Sequence, residues 1–322
     1  MIAFLQRIRN IFAPFEVSLL EAFLLRAGLA YAVWTLFPLQ AYPGEPYPNG
    51  LARLLPGDNF TWLNNPANIE ICRWFMAGAL LLYVAHRFAF LAYPIICFLL
   101  IASGTLANSQ SEDVTHHSQV ITMVMLAQAI WYFADLWQRR GKCRDHEQSL
   151  RWHQLAFYFS IQFFMAGYMV SVVSKMTYSD GEWITRSAYV PVQLEKNILM
   201  DHYNVAHLPD AMKAKGGEQN WFDKLDIPRK TQEIFIAQPN VARLALTTGM
   251  LLEAFCFFAL AGRRVALVYG LFLIFFHLII SWTMNLTFKY HLALLALYFV
   301  GVPYWITRLL PANKRNPALL EP

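Results

Sequence analysis

Charged residues are scarce in this chain. Asp, Glu, Lys and Arg make up 15% of its 322 residues, whereas 57% are hydrophobic and 16% are aromatic. A water-soluble domain of this length carries more charge on its surface. The composition therefore excludes an ordinary soluble globular protein and predicts an integral membrane protein, whose first partner is the lipid bilayer.

Cysteine is scarce as well. The chain has four cysteines, of which Cys72, Cys97 and Cys256 fall in apolar stretches and Cys143 falls in a polar segment. The spacing offers no CxxC pair and no obvious disulfide. Internal repeats are also absent, and this disfavours a transporter built from inverted repeats, in which charged residues within the spans would form a relay.

What the chain does contain is apolar stretches of about 20 residues, each enough to cross roughly 30 Å of hydrocarbon. They cover residues 17–37, 69–85, 88–107, 117–137, 153–173, 240–260, 265–285 and 290–308. We therefore expect an all-α polytopic membrane bundle of about eight transmembrane helices, occupying residues 17–308. Residues 1–16 mix two arginines with apolar side chains, which is typical of an interfacial amphipathic helix and not of a cleaved signal peptide. Residues 309–322 form a tail.

Basic residues are distributed unevenly between alternate gaps. One set of gaps holds thirteen: Arg7, Arg9, Arg87, Arg139, Arg140, Lys142, Arg144, Arg151, Arg263, Arg264, Arg308, Lys314 and Arg315. The short gaps of the other set hold Arg53 and Lys289. The positive-inside rule therefore predicts a multi-pass cell-membrane protein with both termini in the cytoplasm. Because the net charge of +5 is concentrated beside cytoplasmic headgroups, it gives no reason to expect a nucleic-acid partner.

A long polar insert, residues 174–239, separates the fifth and sixth stretches. By the charge rule it lies on the outer side. Aromatic side chains are interleaved with charges there, and residues 192–208 have apolar side chains at helical spacing. We expect the insert to fold as a lid over the outer face of the bundle, with a solvated tether as the alternative.

Ionisable residues inside apolar stretches need a partner or a function. The chain has Glu21, Arg26, Arg73, Glu253 and His277 in such places. Glu21 and Arg26 are five residues apart and therefore do not share a helix face, so we expect their partners on other helices. For these two and Glu253, a buried ion pair or hydrogen bond that fixes the register of the bundle is as plausible as catalysis.

His277 begins a polar row on the seventh stretch. Ser281 and Asn285 follow it at four and eight residues, on one helix face. The row runs from the middle of the predicted span to its outer end. It indicates the wall of an outward-facing pocket, although a satisfied core histidine is the alternative interpretation for His277 alone.

Two histidines stand at the start of the fourth stretch. Glu112 and Asp113 precede His116 and His117 by four residues each, so each carboxylate could orient one imidazole, as a general base requires. The acids also suit the first turn of a helix. A divalent metal site is the alternative, but the pair lacks HxH or HxxxH spacing.

Lys175 follows the fifth stretch directly, and Trp183 lies eight residues further on. A lysine held against apolar side chains is poorly solvated as an ammonium ion, and it can therefore act as a base near neutrality. The alternative is a lysine that only extends to the membrane interface.

These residues resemble a known family, the horizontally transferred transmembrane domain proteins, which include the membrane part of vitamin K-dependent gamma-carboxylases. The resemblance spans most of residues 17–308. Its best stretch contains Glu253, then two arginines, then Phe276-His277-Leu278 and Asn285-Leu286-Thr287-Phe288. Residues 115–118 are similar to the family's segment that carries a functional histidine, which matches His117. Residues 168–183 are similar to the segment that carries its catalytic lysine, which matches Lys175.

The resemblance implies a carboxylase-like or epoxidase-like enzyme. Lys175 would deprotonate a reduced quinone, similar to vitamin K, so that oxygen can attack it, and the strong base so formed would abstract a carbon-bound proton. His117 would orient the substrate or shuttle protons. Six residues would form the pocket: His116, Trp183, Glu253, His277, Ser281 and Asn285. No metal is implied.

A second hypothesis is a membrane accessory protein without enzymatic activity. In that case the outer insert would bind a secreted peptide or protein during its maturation or export, and the polar residues would only hold the bundle together.

Overall fold

The computed structural model describes residues 15–37, 57–110, 116–139, 146–185, 227–284 and 288–311. Within these ranges the chain forms helices and short turns, and they include no β-strand. The predicted all-α class is therefore confirmed for the described part of the chain.

The first half of the chain forms long helices. They are α1 (Leu19–Leu36), α2 (Pro66–Val84), α3 (Ala89–Gln110), α4 (His116–Arg139) and α5 (His146–Tyr178), with a 3₁₀ segment, Gly57–Asn64, before α2.

The second half has shorter and more broken helices. They are α6 (Glu182–Thr185), α7 (Ile227–Ala237), α8 (Pro239–Ala254), α9 (Arg263–Met284), α10 (Lys289–Leu294) and α11 (Val302–Arg308). A 3₁₀ segment, Cys256–Ala261, lies between α8 and α9, and a π-helical segment, Leu295–Val300, follows α10.

Local sequence explains where α1 and α2 begin. The Ser18 hydroxyl accepts a hydrogen bond from the Glu21 backbone N–H at 3.2 Å, as an N-cap does. The Asn65 side chain caps α2 in the same way, and Pro66 occupies the first turn, where a missing N–H costs nothing.

The break between the second and third apolar stretches is confirmed. Helix α2 ends at Val84 and α3 begins at Ala89, close to the predicted bounds. Between them, His86 and Phe88 adopt left-handed backbone angles, with φ of 55° and 48°. Because non-glycine residues seldom adopt this conformation, the turn is held in place by its surroundings.

Membrane-crossing capacity is confirmed in part. Among the described residues, five helical segments are long and apolar enough to cross a membrane: Leu19–Leu36, Pro66–Val84, Gln119–Gln138, Glu147–Tyr178 and Arg263–Ser281. A sixth results if the bent pair Lys289–Val300 and Val302–Arg308 is counted as one span. The apolar segment Ala89–Thr105 is shorter. The predicted count of eight is therefore not confirmed.

Two predicted stretches are interrupted. Helix α8 has 16 residues, about 24 Å at 1.5 Å per residue, so the helix within stretch 240–260 is shorter than predicted. In stretch 290–308, Gly301 has a φ of 70° and separates two helical segments that are bent by 43°. Glycine favours such left-handed positions because it has no Cβ.

Of the insert 174–239, the structure describes the two ends. Helix α5 continues to Tyr178, so Lys175 lies within a helix instead of after one, and α6 and α7 follow. Residues 186–226 lie outside the described residues, and so do most of the predicted N-terminal helix and of the C-terminal tail. The lid, the sidedness of the insert and the cytoplasmic termini stay predictions.

The chain divides into two compact units. Unit 1 consists of Met1–Gly167, Phe258–Val268 and Lys289–Pro322, and unit 2 consists of Tyr168–Phe257 and Tyr269–Phe288. In unit 1, α3 packs against both α2 and α4, while α1 contacts α2, α4, α10 and α11. In unit 2, α8 packs against α6 and α7.

A buried hydrogen-bond network joins the helices of unit 1. Gln128 on α4 accepts from the Tyr83 hydroxyl at 2.7 Å and donates to the hydroxyls of Ser160 and Tyr298, at 3.1 and 3.0 Å. All four side chains are buried. Because each buried polar atom in this set has a partner, the network fixes which helix faces meet.

Candidate functional site

An ion pair in unit 2 joins two of the predicted site residues. Lys175 Nζ lies 2.5 Å from Glu253 Oε2. Lys175 belongs to the last turn of α5, and Glu253 is the next-to-last residue of α8. The Glu253 side chain is 6% exposed and that of Lys175 is 24% exposed. The structure therefore pairs the predicted base directly with a buried carboxylate.

The end of α5 holds Lys175 in position. The Ser179 hydroxyl donates to the Lys175 carbonyl, and the Gly181 N–H donates to the Met176 carbonyl at 3.0 Å. Asp180 and Gly181 have φ of 49° and 78°, and a left-handed residue directly before the donor of such a bond is a common way to end a helix. The lysine backbone is therefore fixed just inside a well-capped helix end.

Apolar side chains are exposed at the same end of α5 as the ion pair. Val173 and Met176, on either side of Lys175, are 60% and 38% exposed. On a helix long enough to cross a membrane, such side chains suit contact with lipid chains. The helix end that carries the partly exposed Lys175 side chain thus also presents apolar surface that an apolar molecule can reach.

His277 on α9 is a buried residue with two hydrogen bonds. Its Nδ1 lies 2.7 Å from the Leu273 carbonyl oxygen, and its Nε2 lies 3.5 Å from the Tyr168 hydroxyl. Because a carbonyl oxygen only accepts, Nδ1 carries a hydrogen and donates to it; in the neutral imidazole, Nε2 is then the acceptor for the Tyr168 hydroxyl. The rings of Phe288 and Tyr168 lie 4.8 and 5.7 Å from the imidazole.

These bonds agree with the core interpretation of His277. The Ser281 hydroxyl, predicted to continue the polar row, donates to the His277 carbonyl at 2.8 Å. A hydroxyl bonded to the carbonyl four residues earlier is turned toward its own helix. Asn285 lies outside the described residues, so the full row is not tested.

Three helices of unit 2 are joined in pairs. Lys175 and Glu253 join α5 to α8, and Tyr168 and His277 join α5 to α9. The third contact joins α8 to α9, where the Phe276 ring lies against Gly249 so closely that a Cβ at residue 249 would be 1.8 Å from it. The spacing of these residues along the sequence does not predict these pairings. We call the two polar pairs and the Gly249–Phe276 contact the three-helix site.

The remaining predicted site residues lack a described side chain. His116 and His117 are the first two residues of α4, and Trp183 lies in α6. The side chains of all three fall outside the described part of the structure. Their predicted roles are therefore not tested. The described residues contain no group of three or more His, Cys, Asp or Glu side chains arranged to hold a metal ion.

The expectation that Glu21 and Arg26 have partners on other helices is confirmed. Glu21 Oε1 lies 2.8 Å from Arg263 Nη2 of α9. Arg26 Nε donates to the Val84 carbonyl of α2 at 3.2 Å, and its Nη1 lies 3.4 Å from His153 Nδ1 of α5. Arg263, which the charge pattern assigns to a loop, also lies 4.2 Å from the centre of the Tyr304 ring. These contacts serve to hold unit 1 together.

Comparison with known proteins gives no further assignment. No family model, no curated protein and no solved structure matches this chain.

Proposed function

We propose that this chain is an integral membrane enzyme, resembling the transmembrane domain of the gamma-carboxylases, in which Lys175 and Glu253 transfer protons. The observation that carries the proposal is the 2.5 Å contact between Lys175 Nζ and Glu253 Oε2, with the lysine partly exposed and the glutamate buried. The charge asymmetry of the sequence supports an outward-facing site, because it assigns the end of α5 to the outer side.

The pair can hold one proton in two ways. With the proton on nitrogen, it is an ammonium and a carboxylate; with the proton on Oε2, it is a neutral amine and a neutral carboxylic acid. Both forms have the same net charge, so the transfer places no additional charge in a poorly solvated region. In the second form the Lys175 amine is a general base. Once it has accepted a substrate proton, its ammonium donates to the carbonyl oxygen of the neutral Glu253 carboxylic acid, and the deprotonated substrate carries the balancing negative charge.

The surroundings fit a lipid-soluble cofactor. An apolar molecule moving within the bilayer can contact Val173 and Met176, which are exposed at the same end of α5 as Lys175. We propose that a reduced quinone binds there, with a secreted peptide as the other candidate substrate. When bound, a reduced quinone supplies reducing electrons and an acidic O–H, and Lys175 Nζ is the group that accepts this proton.

The other predicted site residues complete the proposal. His117, with His116 beside it, would orient the substrate or shuttle protons, and Trp183 would cover the pocket. His277, Ser281 and Asn285 would contribute the wall on α9, where His277 is held by its contacts with Leu273 and Tyr168.

Lys175→Arg provides the sharpest test. Arginine keeps the positive charge that Glu253 needs but does not give up its proton in proteins. With the full chain purified in lipid nanodiscs, we expect Lys175→Arg to abolish the oxidation of a reduced quinone by molecular oxygen while the protein stays folded. Lys230→Ala removes an exposed lysine of α7 and serves as the matched control, with normal turnover expected. Wild-type turnover by Lys175→Arg would contradict the proposal.

A second candidate function is supported by α7. Phe235 is buried in a cluster with Ala242 and Leu246, whereas its neighbours Ile234 and Ile236 are 50% and 38% exposed. Exposed apolar side chains on an outer insert would suit binding of a secreted peptide. The accessory hypothesis predicts that Ile234→Ser with Ile236→Ser, or deletion within residues 194–226, abolishes that interaction, whereas Lys175→Arg has no effect in cells.

A further inference from the structure

A small cavity lies beside Arg26 in unit 1. Its volume is about 30 Å³. The side chains with polar atoms in its lining are those of Arg26, Tyr93, Gln128, Trp152, His153 and Tyr298, and apolar side chains complete the wall. A cavity of this volume accommodates about two water molecules or one small ion. We call it the Arg26 cavity.

The charge of Arg26 is incompletely balanced. The residue is 6% exposed, and no ion pair of the described residues includes it. Its donors instead meet the carbonyl of Val84, the last residue of α2, and a ring nitrogen of His153. The end of a helix carries only about half a negative charge. A buried guanidinium without a full counterion is costly, and an anion in the adjacent cavity would reduce that cost.

Tyr93 supplies a second donor to the same cavity. Its side chain is 1% exposed and lines the cavity, yet its hydroxyl has no hydrogen-bond partner within the described ranges. Buried hydroxyls are normally bonded, and a phenolic O–H can donate to an anion. Gln128, by contrast, is committed to Tyr83, Ser160 and Tyr298 and therefore serves to hold the wall in place.

We propose that the Arg26 cavity binds one small monovalent anion, of the size of a halide or formate, between the Arg26 guanidinium and the Tyr93 hydroxyl. The single charge of the anion matches the single uncompensated cation, and the volume excludes larger anions. The proposal is independent of the proposed enzymatic function, because it shares no residue with Lys175 and Glu253.

Bromide is a suitable probe because it is a small monovalent anion. Gluconate has the same charge but is too large for a cavity of about 30 Å³, so it serves as the reference anion. The purified full chain is titrated with bromide at a constant ionic strength maintained with gluconate, and its melting temperature is measured. We expect a saturable rise for the wild type. Tyr93→Phe, which removes one oxygen atom, should raise the half-saturating bromide concentration at least tenfold, and Arg26→Gln should abolish the saturable part.

Arg73→Gln is the matched control. Arg73 lies on α2 and pairs with Glu70 at 3.4 Å, at a distance from the cavity lining. Its variant should keep the wild-type bromide response. If Arg26→Gln does not fold, Tyr93→Phe decides the outcome. A wild type that shows no saturable rise, or a Tyr93→Phe variant that saturates at the wild-type concentration, would overturn the proposal.

Discussion

The ring of Phe276 occupies the space in which a side chain at Gly249 would begin. A Cβ on Gly249 would lie 1.8 Å from Phe276 Cε2 and 1.9 Å from Cζ, far closer than two carbon atoms can approach without a bond. Helices α8 and α9 therefore approach each other here only because residue 249 has no side chain.

Gly249→Ala should accordingly destabilise the protein. The added methyl group must move the Phe276 ring or separate the two helices, and overpacking of this kind costs about 1–3 kcal/mol. Gly78→Ala is the control, because a Cβ there meets nothing within 4 Å and alanine is the better helix former. Thermal unfolding in detergent should show a lower melting temperature for Gly249→Ala, whereas Gly78→Ala should not lower it. Equal melting temperatures would refute the close contact.

The two halves of the Lys175–Glu253 pair should differ in their effect on stability. Lys175→Met leaves a carboxylate buried without its partner, which costs about 3–5 kcal/mol. Glu253→Gln leaves a lysine that is partly exposed and still has an oxygen acceptor, so its cost should be about 1–2 kcal/mol. In the double variant, part of the loss should be recovered, because no charge remains. The melting temperatures of the two single variants and the double variant test this order. If the loss in the double variant equals the sum of the two single losses, a direct pair is contradicted.

Gln128→Leu should be among the most destabilising substitutions in unit 1. It removes the bonds from the amide to the buried hydroxyls of Tyr83, Ser160 and Tyr298. A buried hydroxyl left without a partner costs about 1–3 kcal/mol, whereas Ser160 still donates to the Ala156 carbonyl at 2.8 Å and should cost less. Tyr298→Phe removes one of these bonds and should cost about a third as much. Comparison of the two melting temperatures tests the network. If Gln128→Leu and Tyr298→Phe lower the melting temperature equally, Gln128 is not the centre of the hydrogen-bond network.

Arg263 and Arg264 should respond differently to the same substitution. Arg263 donates to Glu21 and to the Glu16 carbonyl and stacks on Tyr304, whereas Arg264 is exposed. Lysine cannot reproduce the planar stacking or the forked donors of arginine. We expect Arg263→Lys to lower stability by about 1–3 kcal/mol and Arg264→Lys to have little effect, as measured by thermal unfolding. Similar losses at both positions would contradict this.

The orientation predicted from the charge asymmetry has a direct test. In a Cys143→Ser background the remaining cysteines are buried, so cysteines introduced at exposed positions can be labelled selectively. We expect Lys230→Cys, on α7, to react with a membrane-impermeant maleimide added to intact cells. Gln148→Cys, near the start of α5, should react only after the membrane is opened. The opposite pattern would reverse the predicted topology.

Much of the helical framework could be predicted from the sequence. Apolar runs and polar gaps give the break at His86 and Arg87, because two charged or polar residues interrupt an otherwise continuous run. The need of buried charges for partners also predicts that Glu21 and Arg26 bond to other helices, as the structure confirms.

Pairings and breaks were harder to predict. Periodicity identifies the face of a helix but not the helix that it meets, so neither the contact of Lys175 with Glu253 nor that of Gly249 with Phe276 follows from the sequence. The break at Gly301 did have a signal, since Gly301 and Pro303 both disfavour a continuous helix. The end of α8 at Ala254 had none, because the following residues remain apolar.

Gly249 and Glu253 are four residues apart on α8 and therefore share one of its faces. A rotation of α8 about its axis that withdrew Glu253 from Lys175 would also carry Gly249 away from Phe276. The ion pair of Glu253 and the close packing of Gly249 against Phe276 are thus both formed at the same rotation of α8 about its axis. The proton-bearing pair is in this way kept in register by a neighbour that carries no charge and no side chain.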